Sequence, residues 1–413
     1  MFDRHVIKKI LPFLETHDIL LFYWARQVWK SSLMELIKEK YLKTPYFFFD
    51  LEEPGNLHLL NQGVNVFINE LISLYGWNES EDVVIFIDEI QYLENPTSFL
   101  KYIHDHYKHI KFIVSWSSTL EIRGKFKDSL AWRMLRFDIN PLSFEEFLIF
   151  KWKNILVNAI WKESLSEDIS KQLISYYKEY LMFWWYPKIA LTNWIDRKIA
   201  YLWEIFDNYI NKDIKDIWKI RDVISFNNFL KILSEQVWNL INYTELSNKI
   251  GINLWTLKNW IALLENTFVI KILYPYNWNI RWELTKTPKI FFNDTWIRNY
   301  CLNSYEITGN LFENGFLSYI MNRWMNKNIN FFRNKDKQEI DFIIDSVPYE
   351  LKLSYNWKAL SSLRSFEEKT NSKWKIITLN KENNSRRSAY YPRELGKDSY
   401  SPNPLEHLSD FIN

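Results

Sequence analysis

The chain has 413 residues, 47% hydrophobic and 25% charged, enough for two or three soluble domains. Its net charge of +2 argues against a protein that coats nucleic acid or a membrane, while leaving room for a local basic patch. A single cysteine, Cys301, excludes an internal disulfide, and the absence of a signal-like or spanning apolar run makes a cytoplasmic chain with no membrane partner the expectation.

DILLFY, 18–23, reads as a short buried strand. Residues 31–43 read as a helix, with Leu33, Leu36 and Ile37 at helical spacing. YFFFDL (46–51), VVIFID (83–88) and IKFIVS (110–115) are further strands, the middle one a continuous apolar run of the kind parallel sheets bury. Strands alternating with helical patterns imply a parallel α/β sheet. PLSFEEFL, 141–148, closes this first domain, 1–150. Residues 151–235 read as a helical lid region, and 236–299 as a winged-helix-like region. There Thr244 and Asn253 are the expected caps of two helices, Gly251 lies in the turn between them, and FVIKILYPY forms the wing. The last domain, 300–380, has a helix around Glu313, strands NFFR, EIDFIID and YELKL, a helix at 357–369 and the strand KIITL. The tail, 381–413, is rich in Ser, Asn, Arg and Pro and reads as mobile.

The chain holds 21 Trp and 8 Gly, where average usage would give roughly 29 Gly. Trp184-Trp185 precede Tyr-Pro, Trp278 follows an Asn, and Trp296 follows Asp-Thr; these are turn contexts in which glycine normally supplies positive φ. The reading that follows is that many Trp codons are UGA, decoded as glycine. Trp24, Trp29, Trp116, Trp132, Trp184, Trp185, Trp238 and Trp296 are the positions expected to be UGA, with Trp152 and Trp260 as candidates for genuine tryptophan.

WARQVWKSS, 24–32, has the layout of a phosphate-binding loop, G-x-x-x-x-G-K-[ST], between a strand and a helix, with Trp at both glycine positions. Trp24, Ala25, Arg26, Gln27, Val28, Trp29, Lys30, Ser31 and Ser32 would wrap the phosphates of ATP. Lys30 would reach the β and γ phosphates and Ser31 would ligate Mg²⁺. Asp88, ending the 83–88 strand, would hold Mg²⁺ through water, and Glu89 would orient or deprotonate the attacking water. Ser117 or Ser118 would contact the γ-phosphate, and Arg133 would act as a finger in cis or from a neighbouring subunit; a turn serine and a surface salt bridge are the plain alternatives. His104, His106 and His109 lack the companions of a metal site.

At these residues the chain resembles the prokaryotic AAA-type ATPases that carry a restriction-endonuclease-like C-terminal domain of unassigned function. The family pattern of a GxRQVGKS/T loop, a DEIQ strand end, a GSSS turn, a SLAGR segment and a PLSFEEFL segment appears here as WARQVWKSS, DEIQ, SWSST, SLAWR and PLSFEEFL. FWWYP, 183–187, matches FGGYP, and NDTWIRN, 293–299, matches DTGIRN. The resemblance runs to about residue 380, and its departures are nearly all Gly to Trp, which supports recoding. It implies ATP and Mg²⁺ as cofactors and ATP hydrolysis as the activity.

Asp341 and the pair Glu350-x-Lys352 lie on successive strand patterns, spaced like the D…(D/E)-x-K core of restriction-like nucleases. Asp341 and Glu350 would bind a metal, Lys352 would polarise the attacking water, and Glu313 would join them; a buried ion network is the alternative. The fold expected is thus a P-loop NTPase α/β sheet, a helical and winged-helix-like region, and a PD-(D/E)xK nuclease-like α/β domain. The function expected is ATP hydrolysis coupled to rearrangement of the C-terminal domains. A metal-dependent nuclease regulated by ATP and a non-catalytic nucleotide- or DNA-binding module are the alternatives. DNA, a protein partner and a second copy of the chain stay open as partners.

Overall fold

The computed structural model describes residues 4–23, 30–116, 130, 132–139, 141–160, 165–183, 186–208, 210, 220, 222–276, 287–323, 328–334, 338–354, 360–370, 372, 374–379 and 400–401. The chain divides into two units between Leu142 and Ser143.

The first unit holds α1 (His5–Ile10), β1 (Ile19–Tyr23), α2 (Lys30–Lys40), β2 (Tyr46–Asp50), α3 (Pro54–Asn61), α4 (Val64–Ser73), β3 (Val83–Asp88), α5 (Pro96–His106), β4 (Ile110–Trp116) and β5 (Met134–Asp138). The sheet order is β2-β3-β4-β1-β5, and every pairing is parallel. Branched and aromatic residues favour these strands, and all residues of β1, β3 and β4 are buried. Their Leu21, Ile85 and Phe112 join Phe67 of α4 and Leu100 of α5 in one core. The Lys111 amine of β4 donates to the carbonyls of Phe13 (2.9 Å), Thr16 and Asp18 (3.0 Å), fixing the segment that leads into β1.

The second unit opens on α6 (Phe144–Phe150), started by a capping box between Ser143 and Glu146. Helices α7 (Asn154–Ala159), α8 (Glu167–Phe183), α9 (Pro187–Leu191), α10 (Ile195–Phe206) and α11 (Val223–Glu235) follow. Next come α12 (Tyr243–Ile250) and α13 (Leu254–Asn266), then the antiparallel pair β6 (Ile270–Leu273) and β7 (Lys289–Phe292). Asn242, rather than Thr244, caps α12, because its side chain reaches the N–H groups of Thr244 and Glu245. Asn253 caps α13, and Gly251 ends α12 at φ 79°. After α14 (Thr295–Leu302) and α15 (Gly309–Arg323) come β8 (Ile329–Arg333), β9 (Glu339–Ile344), β10 (Val347–Lys352), α16 (Leu360–Thr370), β11 (Lys375–Thr378) and β12 (Tyr400–Ser401). The order is β12-β11-β10-β9-β8, antiparallel at β8-β9-β10 and parallel at β10-β11-β12. Tyr400 and Ser401, placed in the mobile tail by composition, instead pair with Ile376 and Ile377. Among the described residues no helix is long and apolar enough to cross a membrane.

Trp132, Trp152 and Trp238 have φ of 67°, 60° and 78°, the left-handed region that costs a side chain roughly 1–2 kcal/mol. This moves Trp152 from the expected genuine tryptophans to the glycine-like positions. Trp260 packs against Phe226 and Phe229, as a core tryptophan does. Trp116 and Trp296 lie buried in a strand and a helix, so turn chemistry does not extend to them. Trp24, Trp29, Trp184, Trp185 and Trp278 lie outside the described residues.

Candidate functional site

In a sheet of parallel strands the carboxyl ends of the strands form one edge, where ligands of such folds bind. Here β1 ends at Tyr23, β3 at Asp88 and β4 at Trp116, and β4 lies between the other two. The chain leaves β1 through residues 24–29, and α2 begins at Lys30. Trp24, Ala25, Arg26, Gln27, Val28, Trp29 and Ser117 lie outside the described residues, as do the side chains of Lys30, Ser31 and Ser32.

Asp88 and Glu89 are buried at this edge. The Ser115 hydroxyl donates to Asp88 Oδ1 and accepts the Glu89 N–H at 2.8 Å; the same N–H lies 3.1 Å from Asp88 Oδ1. Glu89 is left-handed, φ 54° and ψ 48°, a conformation that costs a non-glycine residue and concentrates at functional sites. The turn aims its carboxylate at Gln91, whose amide donates to Oε2. The motif pointed to Ser117 or Ser118; Ser115, which contacts both acids, is a candidate site residue. Its signal was positional: within the strand IKFIVSW it is the one hydroxyl.

Arg133 stands at the other edge. It precedes β5, whose first residue pairs with Ile19 at the start of β1, and its guanidinium grips Asp105 at 2.7 and 3.0 Å. That pairing holds the Asp105 carboxyl well below its ordinary range. The five residues of β5 lie between Arg133 and the edge that carries Asp88, and Arg133 forms a salt bridge, the plain alternative to a finger. Of the histidines, His104 lies 3.2 Å from Asp105, His106 stacks on Tyr102 and His109 pairs with Asp82.

The second unit brings Glu313 (α15), Asp341 (β9), Glu350 and Lys352 (β10) together. All three carboxylates are buried. Lys352 Nζ lies 2.7 Å from Glu350 and 3.3 Å from Asp341 Oδ2, and Leu351 N–H donates to the latter at 2.7 Å. Burial raises all three acids, Glu350 to about 8, with repulsion from Asp341 adding to Glu350 and Glu313. Burial opposes the charge on Lys352, but Asp341 and Glu350 outweigh it and hold its amine above the usual range. Lys289 of β7 pairs with Glu339 beside this group. Among the described residues no three His, Cys, Asp or Glu side chains are placed to hold a metal ion; the lysine stands where the metal reading put a cation.

Residues 16–148 match the AAA domain, 174–307 a domain of unknown function (DUF8612), and 308–393 another (DUF4143). An uncharacterized protein of Methanocaldococcus jannaschii is 25% identical over 349 residues, covering 83% of this chain and 74% of that protein. One from Haemophilus influenzae is 24% identical over 272 residues, covering 64% of each. Solved structures that align include Drosophila ORC bound to AT-rich DNA and Cdc6 (9% identity, 72% of this chain and 91% of that one, TM-score 0.25). Another is a signal transduction ATPase with numerous domains (STAND) from Pyrococcus horikoshii (14% identity, 78% and 44%, TM-score 0.28). With its five parallel strands and its match to the AAA domain, the first unit has the α/β fold of a P-loop AAA-type ATPase.

Proposed function

We propose that the first unit binds MgATP and hydrolyses it, and that the change in bound nucleotide rearranges the C-terminal domains. The observation that carries this reading is the acid pair Asp88–Glu89, held by Ser115 at the sheet edge where β1 also ends, at Tyr23. Lys30 neutralises the β and γ phosphates, and the amides of the loop wrap them. Asp88 and Ser31 are the residues that hold Mg²⁺, which supplies neutralisation of charge on the phosphate oxygens. Glu89, released from Gln91, orients the attacking water and takes its proton; Ser117 steadies the γ-phosphate. Arg133 serves as a finger only towards another copy of the chain.

The test is nucleotide titration and phosphate release by protein carrying glycine at 24 and 29. Indole rings there obstruct backbone contacts worth about 1.5–3 kcal/mol each, so the Trp form should bind several orders of magnitude more weakly. Lys30→Ala should lose binding, Glu89→Gln should bind without turnover, and Ser115→Ala should bind with turnover lowered at least tenfold. Full turnover in Glu89→Gln rejects the mechanism, and full binding by Lys30→Ala rejects the site.

A second reading, a divalent-metal nuclease site in the C-terminal domain, is favoured by the buried Glu313 Oε2, which lies near the charges of Asp341 and Glu350 and has no hydrogen-bond partner among the described residues. It requires Lys352 to yield its place to the metal. Mn²⁺ titration with DNA and RNA cleavage assays, against the Asp341→Ala, Glu350→Ala double variant, decides it. Metal binding that survives the double variant, or neither binding nor cleavage in the parent, rejects this reading.

A further inference from the structure

Arg298, on the first turn of α14, is 7% exposed. Among the described residues its one hydrogen bond runs from Nη1 to the neutral carboxamide oxygen of Asn299, at 2.9 Å. Among the described residues the buried Nε has no acceptor, and no carboxylate pairs with the guanidinium. A guanidinium does not escape burial by losing its proton, so among the described residues a full positive charge is enclosed without an anion. That is a costly arrangement unless something supplies one.

The neighbours on α14 have structural work that Arg298 lacks. Thr295 Oγ1 donates to the Leu181 carbonyl at 2.8 Å, and Asn299 Nδ2 to those of Leu181 and Met182 at 3.3 and 2.9 Å. Together they close the last carbonyls of α8. Asp294, the N-cap residue, makes no side-chain cap; its carboxyl accepts the Tyr186 hydroxyl at 3.1 Å. Trp296 is buried too, and its Nε1 has no acceptor among the described residues. One helix start thus carries two buried N–H donors lacking acceptors, a guanidinium among them, and first-turn amides that no side chain caps. What is missing is an acceptor with negative charge.

We propose that the first turn of α14, with Arg298 as its charge, binds a phosphoryl group. A helix N-terminus and a guanidinium fork both direct N–H donors at a tetrahedral oxyanion. Asp294, four residues before Arg298 in the sequence, is a buried acid at the same helix start.

The test is thermal unfolding of the full chain in rising inorganic phosphate, against chloride at matched ionic strength, for the parent and Arg298→Met. Methionine keeps the apolar stem and removes the unpaired charge. The parent midpoint should rise with phosphate. Arg298→Met should unfold in chloride at or above the parent's temperature, with an affinity for phosphate at least tenfold lower. Both proteins carry the same residues 24–32, so phosphate bound there cancels in the comparison. A lower midpoint or loss of folding in Arg298→Met makes Arg298 structural and overturns the proposal, as does an equal phosphate response in the two proteins. A response to acetate equal to that for phosphate overturns the phosphoryl assignment. Calorimetric titration of the parent that shows no saturable phosphate binding overturns it without any variant.

Discussion

Asp88 on β3 and Asp341 on β9 are both buried acids on sheet strands, yet their neighbours differ in kind. Among the partners of Asp88 are the Ser115 hydroxyl and the Glu89 amide, which are neutral donors. Asp341 takes the Lys352 ammonium, which also grips Glu350. Neutral donors orient a carboxylate and leave its charge to attract an incoming cation. A lysine within the cluster competes with any such cation. The cluster of the second unit therefore holds a cation of its own.

The largest effect should come from removing that cation. Lys352→Met leaves Glu313, Asp341 and Glu350 facing one another, and breaking a buried pair from one side costs about 3–5 kcal/mol. Burial already raises all three acids, Glu350 to about 8. A carboxyl raised in the folded state takes up a proton on folding, so its stability is present at low pH and lost as pH rises. The deficit in Lys352→Met should be greatest at pH 9 and should shrink by pH 6, as read from urea unfolding. A deficit under about 1 kcal/mol at both values, well short of a broken buried pair, would break the contrast between the two clusters.

Asp294 tests the case between them, a buried carboxyl with a neutral partner in the second unit. Burial pushes it up to about 7, and the Tyr186 hydroxyl works against that shift. Raised from about 3.9, it favours the folded state below that value and loses this favour as pH rises through 7. Asp294→Asn removes the penalty while keeping an oxygen to accept from Tyr186. The variant should be more stable than the parent by about 2–4 kcal/mol at pH 8 and equal to it near pH 4. Thermal unfolding at the two pH values measures this. Destabilisation at pH 8 would show that the charged form is wanted there.

Much of this arrangement was legible in the sequence, because the signals were local. Apolar runs marked β1 to β4, and the strands and helix that carry Asp341, Glu350, Lys352 and Glu313 appeared in order. β5 escaped notice because MLRFD is a half-buried edge strand with a charge inside it. For Arg133 the finger and the salt bridge stayed open, because a spacing cannot tell which end of a sheet a loop faces; that depends on the pairing of β5 with β1. Ser115 and Arg298 needed three dimensions. The first is defined by a neighbour 27 residues away, and the second by the lack, among the described residues, of a carboxylate paired with it.

The smallest effect concerns the backbone, and one tryptophan from each unit sharpens it. Trp132, in the first unit, is 97% exposed with φ 67°, and Trp203, on α10 in the second, is 55% exposed within a helix. Neither fills a core, so replacing either by glycine removes little packing, and φ decides the sign. At Trp132 glycine relieves a left-handed strain of roughly 1–2 kcal/mol, set against about 0.5–1 kcal/mol for ordering glycine itself. Trp132→Gly should therefore stabilise by roughly 0.5–1 kcal/mol. At Trp203 there is no strain to relieve, and glycine within a helix is the poorer former, so Trp203→Gly should destabilise by about 0.5 kcal/mol. Trp238 sets the limit of the rule: its φ is 78°, but its ring packs on Phe291 and Phe342 and lies under the Lys289 ammonium, so glycine there loses contacts as it loses strain. Urea unfolding of the three variants gives the signs, and the codons at 132, 152 and 238 give an independent reading. UGA at these positions, with the stabilisation at 132, would mean that the chain was selected with glycine there. UGG at all three, or destabilisation by Trp132→Gly, would make the left-handed tryptophans genuine and end the recoding argument.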